Sequence, residues 1–135
     1  MKIALVVISL ICASASLTQG NVGSQCIKDP KFNVTSFVVS PWPIYYSQQY
    51  QISMTGVFLA DEYVEQIYIG LKYLVQPFWH YSYQQVRVSF SKGETKTFDI
   101  SVEGPSFIGN YKEQVVLHRS TFSSISCWEF DFTPS

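Results

Sequence analysis

Apolar and polar residues alternate with a period of two in one segment after another, and beyond residue 20 no stretch sustains the three-and-four spacing of an amphipathic helix. Successive side chains of a strand point to opposite faces, so this alternation predicts an all-β domain. About seven strands are expected, over residues 31–39, 49–59, 64–75, 81–90, 95–102, 110–118 and 124–132, a number that suits an immunoglobulin-like two-sheet antiparallel sandwich. The breaks between them have chemical causes. Pro41-Trp42-Pro43 denies the ladder two donors, Asp61-Glu62 and Ser91-Lys92-Gly93-Glu94 read as turns, the latter as a hairpin turn, and Gly104-Pro105 and Gly109-Asn110 bracket a short loop. That loop carries Phe107 and Ile108, where polar side chains are the rule.

Parity assigns the inner faces. The last strand is the clearest case, with Trp128, Phe130 and Phe132 on one side and Glu129 and Asp131 on the other. The same rule turns inward Ile52, Met54 and Phe58; Ile67, Ile69 and Leu71; Val86, Val88 and Phe90; Phe98, Ile100 and Val102; and Tyr111, Val115 and Leu117. Asn33-Val34-Thr35 is a glycosylation acceptor motif, and an acceptor at Asn33 must face solvent, which sends Phe32, Val34 and Val38 inward. Glu113 breaks the pattern, since strict alternation places its carboxylate among Tyr111 and Val115. Either it reaches a wet rim and contacts a polar head group, or, the more frequent outcome, a bulge turns it outward.

The N-terminus has a different character. Lys2 followed by the apolar run 3–11 has the charge and length of a secretory signal and is too short to span a bilayer. Ala13-Ser14-Ala15 meets the small-x-small rule, so cleavage is expected after residue 15, or as late as residue 20, leaving a single domain over 16–135. Export to an oxidising compartment changes the reading of the cysteines. Cys12 leaves with the signal, and Cys26 and Cys127 remain to pair. A zinc site using these cysteines with His80 and His118 lacks the short ligand spacing such sites use, so no metal or cofactor is expected.

Charge and catalytic chemistry narrow the function classes. Nine basic against ten acidic residues give no basic patch for nucleic acid. No Gly-x-Ser-x-Gly elbow is present, neither histidine adjoins a nucleophile, and the carboxylates are scattered, so the expectation is a non-enzymatic protein. Ten Phe, nine Tyr and three Trp in a chain of 135 residues are too many for an ordinary small domain. They can interdigitate as a dense core, or line a cavity. Apolar residues outside the strand interiors, Trp42, Phe78, Trp79, Phe107 and Ile108, favour a cavity, with Phe78, Trp79, Phe107 and Ile108 at its mouth.

Several short motifs occur in an order that resembles the ML, or lipid-recognition, domain family. These are Cys26, Ser40-Pro41-Trp42-Pro43-Ile44, Thr55-Gly56, Lys92-Gly93-Glu94, Pro105-Ser106-Phe107 with Gly109-Asn110-Tyr111, and Cys127-Trp128-Glu129-Phe130-Asp131-Phe132. The resemblance spans nearly all of the chain after the signal. It implies splayed sheets holding a phospholipid or sterol between them, transient membrane contact, a first-to-last pairing of Cys26 with Cys127, and a lipid-facing wall that includes Phe98, Ile100, Tyr111, Val115, Trp128 and Phe130. It also allows a protein receptor and a destination outside the cell or in an endolysosomal or vacuolar lumen. The chain departs from the family in lacking its additional internal cysteine pairs. The alternative from another class is a secreted adhesion or co-receptor module, a solid sandwich presenting aromatic side chains to a protein.

Overall fold

The computed structural model describes residues 20–120 and 123–135, so the expected signal at 1–15 lies outside the described residues. Nine strands and no helix occur among them: β1 Gly20–Asn21, β2 Ser24–Gln25, β3 Phe32–Ser40, β4 Gln49–Phe58, β5 Glu62–Tyr73, β6 His80–Phe90, β7 Thr95–Glu103, β8 Tyr111–Ser120 and β9 Ser123–Phe132. The seven long strands match the alternating segments. β1 and β2 hold two residues each, too few for any period to show. One sheet has the order β1-β3-β4-β7 and the other β2-β9-β8-β5-β6, with every neighbouring pair antiparallel.

The turn at Ser91–Glu94 does not make the expected hairpin. It closes tightly, with Glu94 N donating to Ser91 O at 3.0 Å, but β6 pairs with β5 in one sheet and β7 with β4 in the other. The end of β4 captures the turn: Gly93 N donates to Phe58 O, and Phe58 N to Glu94 O, at 2.8 and 2.9 Å. β7 is thereby laid alongside β4, and the chain crosses between sheets at this corner.

Two bulges interrupt the ladders, and the first alters the parity expected from alternation alone. In β3, Val34 pairs with Gly56 and Ser36 with Thr55, so Thr35 is an extra residue and the buried positions after it are Phe37 and Val39. Val38 is therefore not an inner residue as expected. Between β5 and β6, Val64 pairs with Val88 and Gln66 with Gln85, so Val86 and Arg87 together oppose Glu65, with Arg87 at a φ of 54°; the inward positions of β5 step from Val64 to Ile67 while those of β6 stay even-numbered. Below this bulge the β6 residues opposite Ile67, Ile69 and Leu71 are Gln84, Ser82 and His80, which gives β6 a polar inner row.

The core is aromatic. Phe32, Phe58, Phe90 and Phe98 form one contiguous group, with Phe58 stacked on Phe90 at 4.6 Å, and Phe37, Trp128, Phe130, Phe132 and Tyr50 form a second. Ile52, Met54, Ile67, Ile100, Val115 and Leu117 fill the space between, all fully buried. Each such side chain contributes about 1.5–3 kcal/mol on leaving water, which makes these inner faces the main source of cohesion between the sheets.

A strap at the N-terminal edge joins the two sheets directly. β1 pairs with β3 and, after the two residues Val22 and Gly23, β2 pairs with β9. Within it Val22 N donates to Phe37 O of one sheet, and Val22 O accepts from Trp128 Nε1 of the other at 2.9 Å. Gly23 turns the strap at a φ of +92°, where a Cβ would meet Glu129 O and Trp128 Nε1 at 2.5 Å, so only glycine fits. The Cys26–Cys127 disulfide, with a Cα–Cα distance of 5.1 Å, locks the strap to β9 across 101 residues of sequence. Replacing both cysteines by serine is expected to lower unfolding stability by about 2–5 kcal/mol, the usual cost of losing a bridge that closes a long loop, read as the shift in a urea midpoint.

Candidate functional site

With β3 and β9 bridged by the strap, the opposite side of the sandwich is left unpaired, because β6 and β7 end their respective sheets without bonding to each other. A single side-chain bond spans the gap among the described residues, Gln84 Nε2 to Asp99 O at 3.2 Å. Val86, Val88, Phe90 and Phe98 line a cleft of about 290 Å³ there, and Val88, taken from parity as an inner residue, is 45% exposed because it faces this open side.

The larger opening is at one end of the sandwich. A pocket of about 770 Å³ lies between the inner end of the β5–β6 pair and the β7–β8 loop, lined by Leu71, Tyr73, Gln76, His80, Pro105, Ser106, Phe107, Ile108 and Tyr111. Its volume is that of a small-molecule site. Two stacked tyrosines build its wall, Tyr73 and Tyr111, with ring centroids 5.2 Å apart. Their hydroxyls donate to consecutive loop carbonyls, Tyr111 to Phe107 O at 2.8 Å and Tyr73 to Ile108 O at 3.2 Å. Holding both carbonyls inward turns the two side chains out, and Phe107 and Ile108 are 77% and 83% exposed. Leu74, Val75 and Phe78, in the β5–β6 connection, are also exposed; Leu74 N is tied to Asn110 O at 2.9 Å, and Phe78 packs edge-on to His80 of the pocket wall. Phe107 and Ile108 thus line the opening, with the exposed Leu74, Val75 and Phe78 on the connection that also supplies Gln76 to it.

Of the inner-face residues expected to line a cavity, Leu71 and Tyr111 line this pocket, together with Phe107 and Ile108 of the expected mouth. Ile52, Met54, Phe58, Ile67, Ile69, Ile100, Val115, Leu117, Phe130 and Phe132 are buried in the core, with half-buried Val102 and Trp128 packed against it. Trp79 is turned to the outer face, beside Tyr81 over Gly70. Asn33 is exposed on β3. Tyr73 was in phase with Leu71 and Tyr111 and was legible from the same parity. His80 was legible too, since it keeps the even-numbered parity of Val86, Val88 and Phe90.

Glu113 lies behind the pocket wall, fully buried and facing inward. β8 continues through it without a bulge, in register with Leu71 on one side and Phe130 on the other, which corrects the expectation that a bulge turns it outward. The irregularities of β8 come later, at Leu117, His118 and Ser120. Tyr50 of the facing sheet donates its hydroxyl to Glu113 Oε2, while Oε1 has no partner among the described residues. Burial pushes the Glu113 carboxyl up to about 8, with the Tyr50 hydrogen bond opposing the rise only in part. Burial, and next the facing carboxylate, hold the Tyr50 phenol protonated well beyond its ordinary range. Near neutral pH the pair is therefore mainly an uncharged acid bonded to an uncharged phenol.

No protein-family model and no curated protein matches the sequence. Solved structures share the fold, among them the following two. The C-terminal domain of wzt is 14% identical with a TM-score of 0.67, over 84% of this chain and 78% of that one. A Niemann-Pick type C2 protein from the Japanese carpenter ant is 10% identical with a TM-score of 0.63, over 84% of this chain and 99% of that one. The fold is thus the two-sheet antiparallel sandwich of a Niemann-Pick type C2 protein, as the resemblance to the ML domain implied.

The raised Glu113 value fixes the sign of a pH effect. An unfolded chain ionises this carboxyl near its ordinary value of 4.5 and the folded chain only near 8, so its contribution to stability is complete below about 4.5 and is lost as pH rises towards 8. Glu113→Gln is expected to remove this loss, on the order of a few kcal/mol, and to be more stable than wild type at pH 8, as measured by urea unfolding at pH 4.5, 6 and 8.

Proposed function

We propose that this protein is a secreted or lumenal lipid carrier that holds an acyl chain or sterol in the end pocket and exchanges it at a membrane through the two apolar segments framing the opening. The observation that carries this reading is the coincidence of a 770 Å³ pocket with exposed Phe107 and Ile108 on its lining and exposed Val75 and Phe78 on the adjoining β5–β6 connection. Apolar side chains so exposed are costly to leave in water and gain when a bilayer receives them. The pocket supplies the other half of the exchange. Each methylene transferred from water is worth about 0.8 kcal/mol, so a dozen give about 10 kcal/mol before ordering costs, and binding of this kind needs no catalytic group. The disulfide supports an oxidising compartment as the place of work. Phospholipid and sterol both remain within this reading.

The outer face of the β5–β6 pair favours a second reading. Tyr68, Tyr81 and Tyr83 form an aromatic cluster there, with Tyr81 and Tyr83 exposed, as an adhesion or co-receptor surface would require. Solvent extraction of the purified protein followed by mass spectrometry separates the two. A carrier yields a stoichiometric lipid, or takes up a fluorescent acyl probe to saturation; neither result in repeated preparations rejects carriage and leaves the adhesion reading. Phe107→Ser combined with Ile108→Ser is expected to reduce association with phosphatidylcholine vesicles more than tenfold in a flotation assay, with the melting temperature unchanged, since both side chains are already in solvent.

A further inference from the structure

Glu113 is costly where it stands. A carboxyl with no exposure in an apolar core, carrying one oxygen with no partner, is a group that a hydrophobic residue of similar size would replace at a gain in stability. Its position relates it to the pocket. Its cross-strand partner Leu71 and its neighbour two residues along the same face, Tyr111, both belong to the pocket wall. The carboxyl therefore sits immediately behind the inner end of the opening, with Tyr50 of the other sheet fixing one oxygen and leaving the second free.

Resting on the carrier reading, we propose that Glu113, oriented by Tyr50, is the inner polar stop of the pocket and receives the hydroxyl of a neutral lipid that enters polar end first. A hydroxyl suits the free oxygen in either protonation state, because it accepts from a carboxylic acid and donates to a carboxylate. An anionic head group does not suit it. The buried polar and charged side chains among the described residues are Glu62, Glu113, His118 and Ser126, with no lysine or arginine to neutralise a phosphate at this depth. Entry requires Leu71 and Tyr111 to give way, and Tyr111 is also the residue that holds the Phe107 carbonyl, so admitting a ligand this far releases one of the two ties on the loop.

Two probes of equal apolar length test the assignment, a pyrene-labelled dodecanol and dodecylpyrene, titrated into wild type, Glu113→Leu and Glu113→Gln. Wild type is expected to prefer the alcohol about tenfold, the weight of one well-made buried hydrogen bond. Glu113→Leu loses that preference while still binding the hydrocarbon, and Glu113→Gln, which can still bond a hydroxyl, keeps most of it. The infrared carbonyl band of the buried acid, identified by its disappearance in Glu113→Gln, shifts on saturation with the alcohol and not with the hydrocarbon. An alcohol preference retained in Glu113→Leu, or a carbonyl band unmoved by the alcohol, overturns the role of Glu113 and leaves lipid carriage intact. Failure of wild type to bind either probe overturns carriage itself and this proposal with it.

Discussion

The asymmetry of the two long edges of the sandwich governs the rest of the structure. On one side the strap at residues 20–26 is hydrogen-bonded into both sheets and covalently locked to β9, so β3 and β9 are held at a fixed separation. On the other, β6 and β7 leave their shared turn for different sheets and never pair. The sandwich is thus clamped along one edge and unpaired along the other. The disulfide acts mainly by limiting the unfolded chain, while the strap's bonds to Phe37 and Trp128 set the native spacing.

The aromatic side chains divide between two tasks. Phe32, Phe58, Phe90 and Phe98 stack on one another near the crossing turn, and Phe37, Trp128 and Phe130 do so beside the strap, so most of the space between the sheets is filled. Where the β5–β6 connection and the β7–β8 loop meet, tyrosines replace phenylalanines. Their hydroxyls bind backbone carbonyls at the loop and cannot also be packed into an apolar centre. The larger opening is consequently at that end, beside the exposed Phe107 and Ile108. Glu113 and Tyr50 are buried behind Leu71 and Tyr111 of its wall.

Period-two alternation determined the all-β class, the seven long strands and the inner position of residues such as Ile52, Met54, Phe98, Ile100 and Phe130, because a strand's geometry ties sequence parity directly to face. The out-of-place apolar pair Phe107 and Ile108 was equally legible, since turn chemistry alone says that such side chains do not belong there. Tertiary structure alone decided the remainder. The bulge at Thr35 reverses parity on β3, and the irregularity opposite Val86–Arg87 shifts it on β5 between Val64 and Ile67, neither with a compositional signal, and the choice of β4 as the partner of β7 depends on bonds to Phe58 that lie far away in sequence. The state of Glu113 likewise depends on Tyr50 from the opposite sheet and on the exclusion of water by residues from four strands. Local sequence encodes which face a side chain takes; where the two faces meet, and where they leave room, is a property of contacts between distant segments.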